Sequence, residues 1–257
     1  MAESEAVVGQ ATAVQGKKRS SFAGDVLKLA SGATIAQALG ILLSPVFSRL
    51  FSPEAFGTAA VFASITSVIG VVVCLRYELA IMLPEKDEDA ANLLVGSLFF
   101  VGIFTVLTIP GIVFLREPIC RWLKAPELEP FLWMVPISVF LSGVALALRY
   151  WNTRLKRFGL LSGLRVAATV SASSVTLGTG LLGYVGAVSL IGARVLSQMV
   201  SAVGLGWQSL GKRDLRLRSS IKSYNVRKAL VRYKKFPRYS ALSGLLNNFS
   251  WQLPNFL

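Results

Sequence analysis

Two sets of polar residues recur at helical spacing inside otherwise apolar sequence, and each contains an arginine. Arg194, Gln198 and Ser201 stand four and three residues apart, while Ser162, Arg165, Thr169, Ser173, Thr176 and Gly180 follow one another at three or four. Such spacing puts each set on one face of an α-helix. A cation near the middle of a membrane helix costs about 2.5–3.5 kcal/mol on insertion scales, so it faces a cavity, a partner or a substrate. Arg194 lies nearest the middle of its apolar run and is assigned such a role. Arg165 lies about two turns from one end of its run, where snorkelling to the interface competes with a functional role. A third set, Thr34, Gln37, Ser44 and Ser48, carries no charge near mid-span. It suits a water-filled cavity or close helix packing, and the Pro45 beside it is tolerated in either setting.

One further pair of charges belongs with these. An apolar run continues past Arg76 and Glu78 to Pro84. As a single helix it would be about 40 Å long, with both charges at the inner edge of the hydrocarbon. Two residues apart on a helix they do not face each other, so each needs a partner on a neighbouring span unless both are plain interfacial anchors. Glu78 is the only acid that this pattern puts at membrane depth. It is therefore the sole candidate for carboxylate coupling to protons or sodium. The chain has no histidine, which removes the usual general base and the usual metal ligand. Cys74 sits in an apolar run and Cys120 in a short loop, without CxxC spacing or an evident pairing. No metal, cofactor or enzymatic activity is expected.

These residues have to be carried by membrane spans. Hydrophobic residues make up 53% of the chain and charged residues 16%, against about 25% charged in soluble domains. About twenty apolar residues cross the hydrocarbon as a helix. Windows at 26–50, 57–83, 90–115, 130–150, 159–184 and 186–205 satisfy this, and a seventh opens near Tyr239. The predicted fold is all-α: a polytopic transmembrane helix bundle of six helices plus the start of a seventh. With the N-terminus inside, the inner positions hold twenty-one Lys and Arg and the outer positions four. The positive-inside bias thus sets the N-terminus in the cytoplasm.

The organisation read from this is a polar cytoplasmic tail at 1–24, a six-helix lobe at 25–206, a basic cytoplasmic linker at 207–238 and the opening of a seventh span at 239–257. Residues 212–238 hold eleven of the twenty-seven basic residues and one acid, Asp214. Within them Val226, Leu230 and Tyr233 share one side of a basic amphipathic helix, which would lie on anionic lipid or act as a topological anchor. Basic residues that alternate between membrane-flanking loops report topology, so no nucleic-acid partner is expected. The connections at 51–56 and 183–186 are too short for a domain outside the membrane.

Three stretches resemble a known family: Pro45-Val-Phe-Ser-Arg-Leu-Phe-Ser-Pro-Glu-Ala-Phe-Gly57, then Leu75-Arg-Tyr-Glu-Leu-Ala-Ile-Met-Leu-Pro84, then Tyr233-Lys-Lys-Phe-Pro-Arg-Tyr239 with Gln252-Leu-Pro254. They are similar to the polysaccharide-biosynthesis, or Wzx-type oligosaccharide flippase, proteins of the multidrug/oligosaccharidyl-lipid/polysaccharide exporter superfamily. The resemblance implies a two-lobed bundle of twelve to fourteen helices. It also implies alternating-access transport of lipid-diphosphate-linked oligosaccharide across the bacterial inner membrane, for surface polysaccharide or lipopolysaccharide O-antigen. On that basis the chain is the N-terminal six-helix lobe, and a missing C-terminal lobe or second half-transporter is an expected partner. Arginine grips diphosphate through charge-assisted bidentate bonds. The resemblance assigns this task to Arg49 and Arg76 from the matching motifs, and position assigns it to Arg165 and Arg194. The competing readings are a cation-coupled multidrug exporter of the same superfamily and a truncated, non-transporting remnant. A membrane glycosyltransferase or polymerase would need acidic metal-binding pairs or a large outer loop, and neither occurs.

Overall fold

A computed structural model describes the backbone of residues 2–122, 126–209, 223–234 and 236–253, and the side chains of all of these except 2–23, 25, 223 and 224. It is 89% helical, with no strand among the described residues. The helices are α1 (Ala2–Leu50), α2 (Pro53–Val72), α3 (Tyr77–Ala80), α4 (Asp87–Trp122), α5 (Val135–Arg154), α6 (Phe158–Leu181), α7 (Ala187–Gln208), α8 (Ser223–Arg232) and α9 (Ala241–Gln252). A 3-10 segment, Pro126–Met134, leads into α5, and one π-helical turn, Phe236–Ser240, leads into α9. Among the described residues, six helices are long and apolar enough to cross a membrane: Val26–Leu50 of α1, α2, α4, the 3-10 segment joined to α5, α6 and α7. Their outer surfaces carry exposed Leu27, Leu42, Val106, Phe114 and Leu181, as lipid solvent requires.

Two turns between helices are built by local chemistry. Ser52 caps α2 by accepting from the Ala55 amide at 3.2 Å, Pro53 occupies the first turn and Glu54 meets the positive helix end. At the α6–α7 turn Gly183 has φ of 84°, a conformation that a side chain would strain, and the Tyr184 amide donates to the Thr179 carbonyl at 2.9 Å.

Lipid tails are as apolar as leucine, so helices associate through close packing rather than through water exclusion. Small residues make that possible here. The centre is Phe62, Val101, Val139 and Ile191 from α2, α4, α5 and α7, together with Val73 just past the end of α2, with Gly143 of α5 against Val101 and Val73. Helix α6 packs on α7, where Gly204 receives Leu164, and α1 packs on α6, where Gly32 receives Ser162. The side of α1 that is covered carries Gly32, Ala36, Leu39, Leu43, Phe47 and Leu50. At 100° per residue the polar set Thr34, Gln37, Ser44 and Ser48 is turned about 140° away from it, and all four are exposed.

The second span departs from the expected single helix ending at Pro84. Helix α2 stops at Val72, and Leu75 (φ 49°) and Arg76 (φ 61°) adopt left-handed conformations before the single turn of α3. The expected separation of Arg76 from Glu78 fails for the same reason. The reversal swings the Arg76 Nη1 to 3.8 Å from Glu78 Oε1, a contact that an i,i+2 pair on a straight helix does not make.

At the end of the bundle where α5 stops and α6 starts, Arg154 ties α5 to the loop before α4. It donates to Asp87 Oδ1 at 3.2 Å, to the Ile81 carbonyl at 3.1 Å and to the Glu85 carbonyl at 3.3 Å. Helix α8 docks on α4 there. Leu230 fills the space over Gly96, Ala229 is buried, and the Tyr77 hydroxyl donates to the Leu230 carbonyl at 3.1 Å. The apolar side expected to enter lipid is thus occupied by protein, because a packed cluster around Tyr77, Leu93 and Trp151 offers it a closer fit. Arg227, Lys228, Arg232 and Lys234 remain exposed. Residues 210–222, which include the first part of the basic stretch, lie outside the described residues.

Close approach at Gly32 should be measurable. Gly32→Ile is expected to destabilise the lobe by about 1–3 kcal/mol through overpacking against Ser162, read as a lower midpoint in detergent unfolding. Gly40→Ile, where a side chain meets nothing within 4 Å, should leave the midpoint unchanged; equal effects would contradict the α1–α6 packing.

Candidate functional site

Four helices leave a cavity of about 490 Å³ between them. Thr66, Ser67 and Gly70 come from α2, Arg76 from the left-handed turn, Ser142 and Arg149 from α5, and Arg194, Ser197, Gln198 and Ser201 from α7, with Asn248 of α9 closing one side. A second cavity of about 290 Å³ adjoins it between α5, α6 and α7, and holds Arg165 and Thr169 together with Arg149, Ser197 and Ser201. Among the described residues, no acid lines either one.

Each cation is positioned by a different local device. Arg194 and Gln198 are one turn apart on α7, and the Ser138 hydroxyl of α5 donates to Gln198 Oε1 at 2.7 Å, which fixes the amide at the cavity wall. Arg149 stands seven residues after Ser142 on α5, so both face the same side. Arg149, Arg165 and Arg194 are exposed to the space they line, and none makes an ion pair or hydrogen bond among the described residues.

Arg76 is held differently. A Cβ at position 244 would overlap its guanidinium, so the group lies against the bare backbone of Gly244 on α9. Glu78 is 1% exposed, and neither of its carboxylate oxygens has a hydrogen-bond partner. Its nearest cation is Arg76, and it sits behind that residue rather than in either cavity. Helix α9 is fastened beside this corner by a polar seam: Asn248 Nδ2 and Gln252 Nε2 donate to Ser67 Oγ at 3.2 and 3.3 Å, and Ser64 Oγ donates to Gln252 Oε1 at 2.9 Å.

Of the residues singled out in the sequence, Arg76, Arg194 and Gln198 come together in the larger cavity and Arg165 lies in the adjoining one. Gln37 and Arg49 are exposed on α1 and line neither. Arg149 was not anticipated, because in sequence it groups with Arg154, Lys156 and Arg157 as an inner-edge anchor. Its seven-residue spacing from Ser142 was the available signal. Ser67 and Asn248 were also missed, since neutral residues in an apolar run carry no mark of the helix they will meet.

A cavity lined by arginines and serines, with no acid among its described lining residues, attracts a group with concentrated negative charge, and its guanidiniums offer planar donor pairs to phosphate oxygens. A family model described as polysaccharide biosynthesis protein matches residues 46–257. No curated protein and no solved structure matches the chain. The family match covers most of the sequence, and the six apolar helices agree with it: the chain belongs to the polysaccharide biosynthesis protein family of Wzx-like flippases.

Proposed function

We propose that this chain is the first lobe of a transporter that moves lipid-diphosphate-linked oligosaccharide across the bacterial inner membrane, by alternating access, for surface polysaccharide such as lipopolysaccharide O-antigen. The observation that carries this reading is the larger cavity: Arg76, Arg149 and Arg194 converge on one space at membrane depth that no acid among the described residues lines. Within it Arg76 and Arg149 hold the diphosphate nearer the inner side, and Arg194 with Gln198 receives it deeper in. The N-terminus is cytoplasmic, as the distribution of basic residues requires. The exposed basic side of α8 meets anionic membrane lipid. Gln37 and Arg49, which find no partner surface within this lobe, face a second lobe or half-transporter.

A cation-coupled multidrug exporter fits the cavity less well, since such a protein needs a carboxylate where the cargo or ion sits. Glu78 stays in this reading as the coupling group. It is buried beside Arg76, and a change in its charge would alter the hold on that guanidinium.

Charge-assisted hydrogen bonds contribute about 1.5–3 kcal/mol each. Arg194→Gln or Arg149→Gln, introduced at the chromosomal locus, should therefore lower surface polysaccharide about tenfold to a hundredfold at matched protein level. A normal surface coat in both strains would sink the cation-cavity reading. Gly244→Ala should displace the Arg76 guanidinium, the flexible end of a long side chain, and leave stability nearly unchanged. Binding of farnesyl diphosphate to the purified chain should fall as far in Gly244→Ala as in Arg76→Gln; a Gly244→Ala protein that binds normally would show that Arg76 works without this contact.

A further inference from the structure

The smaller cavity has no task in the reading above. Its polar lining is Arg149, Arg165, Thr169, Ser197 and Ser201, and three of these five, Arg149, Ser197 and Ser201, also line the larger cavity. One guanidinium and two hydroxyls therefore form the partition between two adjoining spaces.

The hydrogen-bond inventory narrows what the smaller space can hold. The Thr169 hydroxyl donates to the Arg165 carbonyl at 3.1 Å and the Ser201 hydroxyl to the Ser197 carbonyl at 3.0 Å, so those two hydrogens are committed. The uncommitted donors are the guanidiniums of Arg149 and Arg165 and the Ser197 hydroxyl. All three are donors with no acceptor among the described residues, and two of them carry like charges that repel across a low-dielectric space. A phosphate between them satisfies the donors and removes the repulsion.

Depth gives the two spaces an order. Arg165 is seven residues into α6 from Phe158, about 10 Å along the axis, and Arg149 is five residues before the end of α5 at Arg154, about 8 Å. Arg194 is fourteen residues before the end of α7 at Gln208, about 21 Å from the same side of the lobe. Arg149 and Arg165 therefore both lie nearer than Arg194 to the end where α5 stops and α6 starts.

We propose that the smaller cavity is a second phosphate subsite, a boarding position in which Arg165 and Arg149 hold a phosphate group before Arg149 passes it to Arg194. This rests on the transport reading and adds to it a distinct site, a shared residue and a direction. The phosphate could arrive on a lipid or free in water, and the two sources are separable by experiment.

The test is native mass spectrometry of the purified chain in neutral detergent with farnesyl diphosphate or inorganic pyrophosphate as probe. The wild-type chain should bind two equivalents, Arg165→Gln and Arg194→Gln one each, and Arg149→Gln should weaken both at least tenfold. Arg165→Lys, which keeps the charge, should retain two and so guards against loss of fold in Arg165→Gln. Two equivalents of farnesyl diphosphate but one of pyrophosphate identify a lipid-borne group; two of both identify free phosphate as sufficient, and either result supports the subsite. A single equivalent in the wild-type chain, lost in Arg194→Gln and untouched in Arg165→Gln, overturns the second subsite and leaves the transport reading standing. Binding unaffected by any of the arginine substitutions overturns both.

Discussion

Lipid cannot solvate a guanidinium, and among the described residues four of them stand at or near membrane depth without an acid in the spaces they line. Each must instead be housed by protein-enclosed water or by a ligand, because an uncompensated charge in hydrocarbon costs several kcal/mol. The local geometry follows from that requirement. The second span is broken at Leu75 and Arg76 instead of running to Pro84, which turns the Arg76 side chain away from lipid and onto the backbone of Gly244. Small residues at Gly32, Gly143, Gly180 and Gly204 bring the helices close enough to wall off the space.

The arginines near the end where α5 stops and α6 starts are sorted by what surrounds them. Arg154 spends its donors on Asp87 and two carbonyls, and Arg157 reaches Asn152 Oδ1 at 3.3 Å and the Gln208 carbonyl at 3.1 Å, so both fasten helix ends. At the opposite end Arg116 and Arg121 have Glu129 and Glu117 within 3.7 and 3.3 Å. Arg149, Arg165 and Arg194 have no such partner among the described residues, and they are the ones that line cavities. Where an acid or free carbonyl is in reach the side chain is structural, and where none is it stays available to a ligand. Glu78 is the exception that joins the two groups, an acid buried beside the one cavity arginine that has a carboxylate near it.

The spans were legible in the sequence because lipid imposes a length and a composition on each helix independently of its neighbours. Arg194 and Gln198 were legible for a related reason: the charge cannot face lipid, and four-residue spacing fixes the shared face. What could not be read was anything decided between helices. The left-handed turn at Leu75 and Arg76 involves no glycine, so the apolar run gave no sign of a break. The polar set of Thr34, Gln37, Ser44 and Ser48 marks a real face of α1, but Gly32 and Ala36 give α6 a closer surface on another side, and the polar one is left exposed. Arg149 was hidden by its charged sequence neighbours, although the fold separates it from them in function.

The central claim is that water and negative charge, not lipid, are the natural contents of the space between α2, α5 and α7. It is tested most directly by replacing Cys74 and Cys120 with alanine, placing a single cysteine at Ser197 or at Met199 in turn, and labelling intact membranes with anionic and cationic methanethiosulfonates. Ser197 lines both cavities, while Met199 is half exposed on the opposite side of the same helix. The account predicts that the cysteine at 197 is modified, faster by the anionic reagent than by the cationic one, and that the cysteine at 199 is inert. A cysteine at 197 as inert as that at 199, or one that favours the cationic reagent, would contradict it.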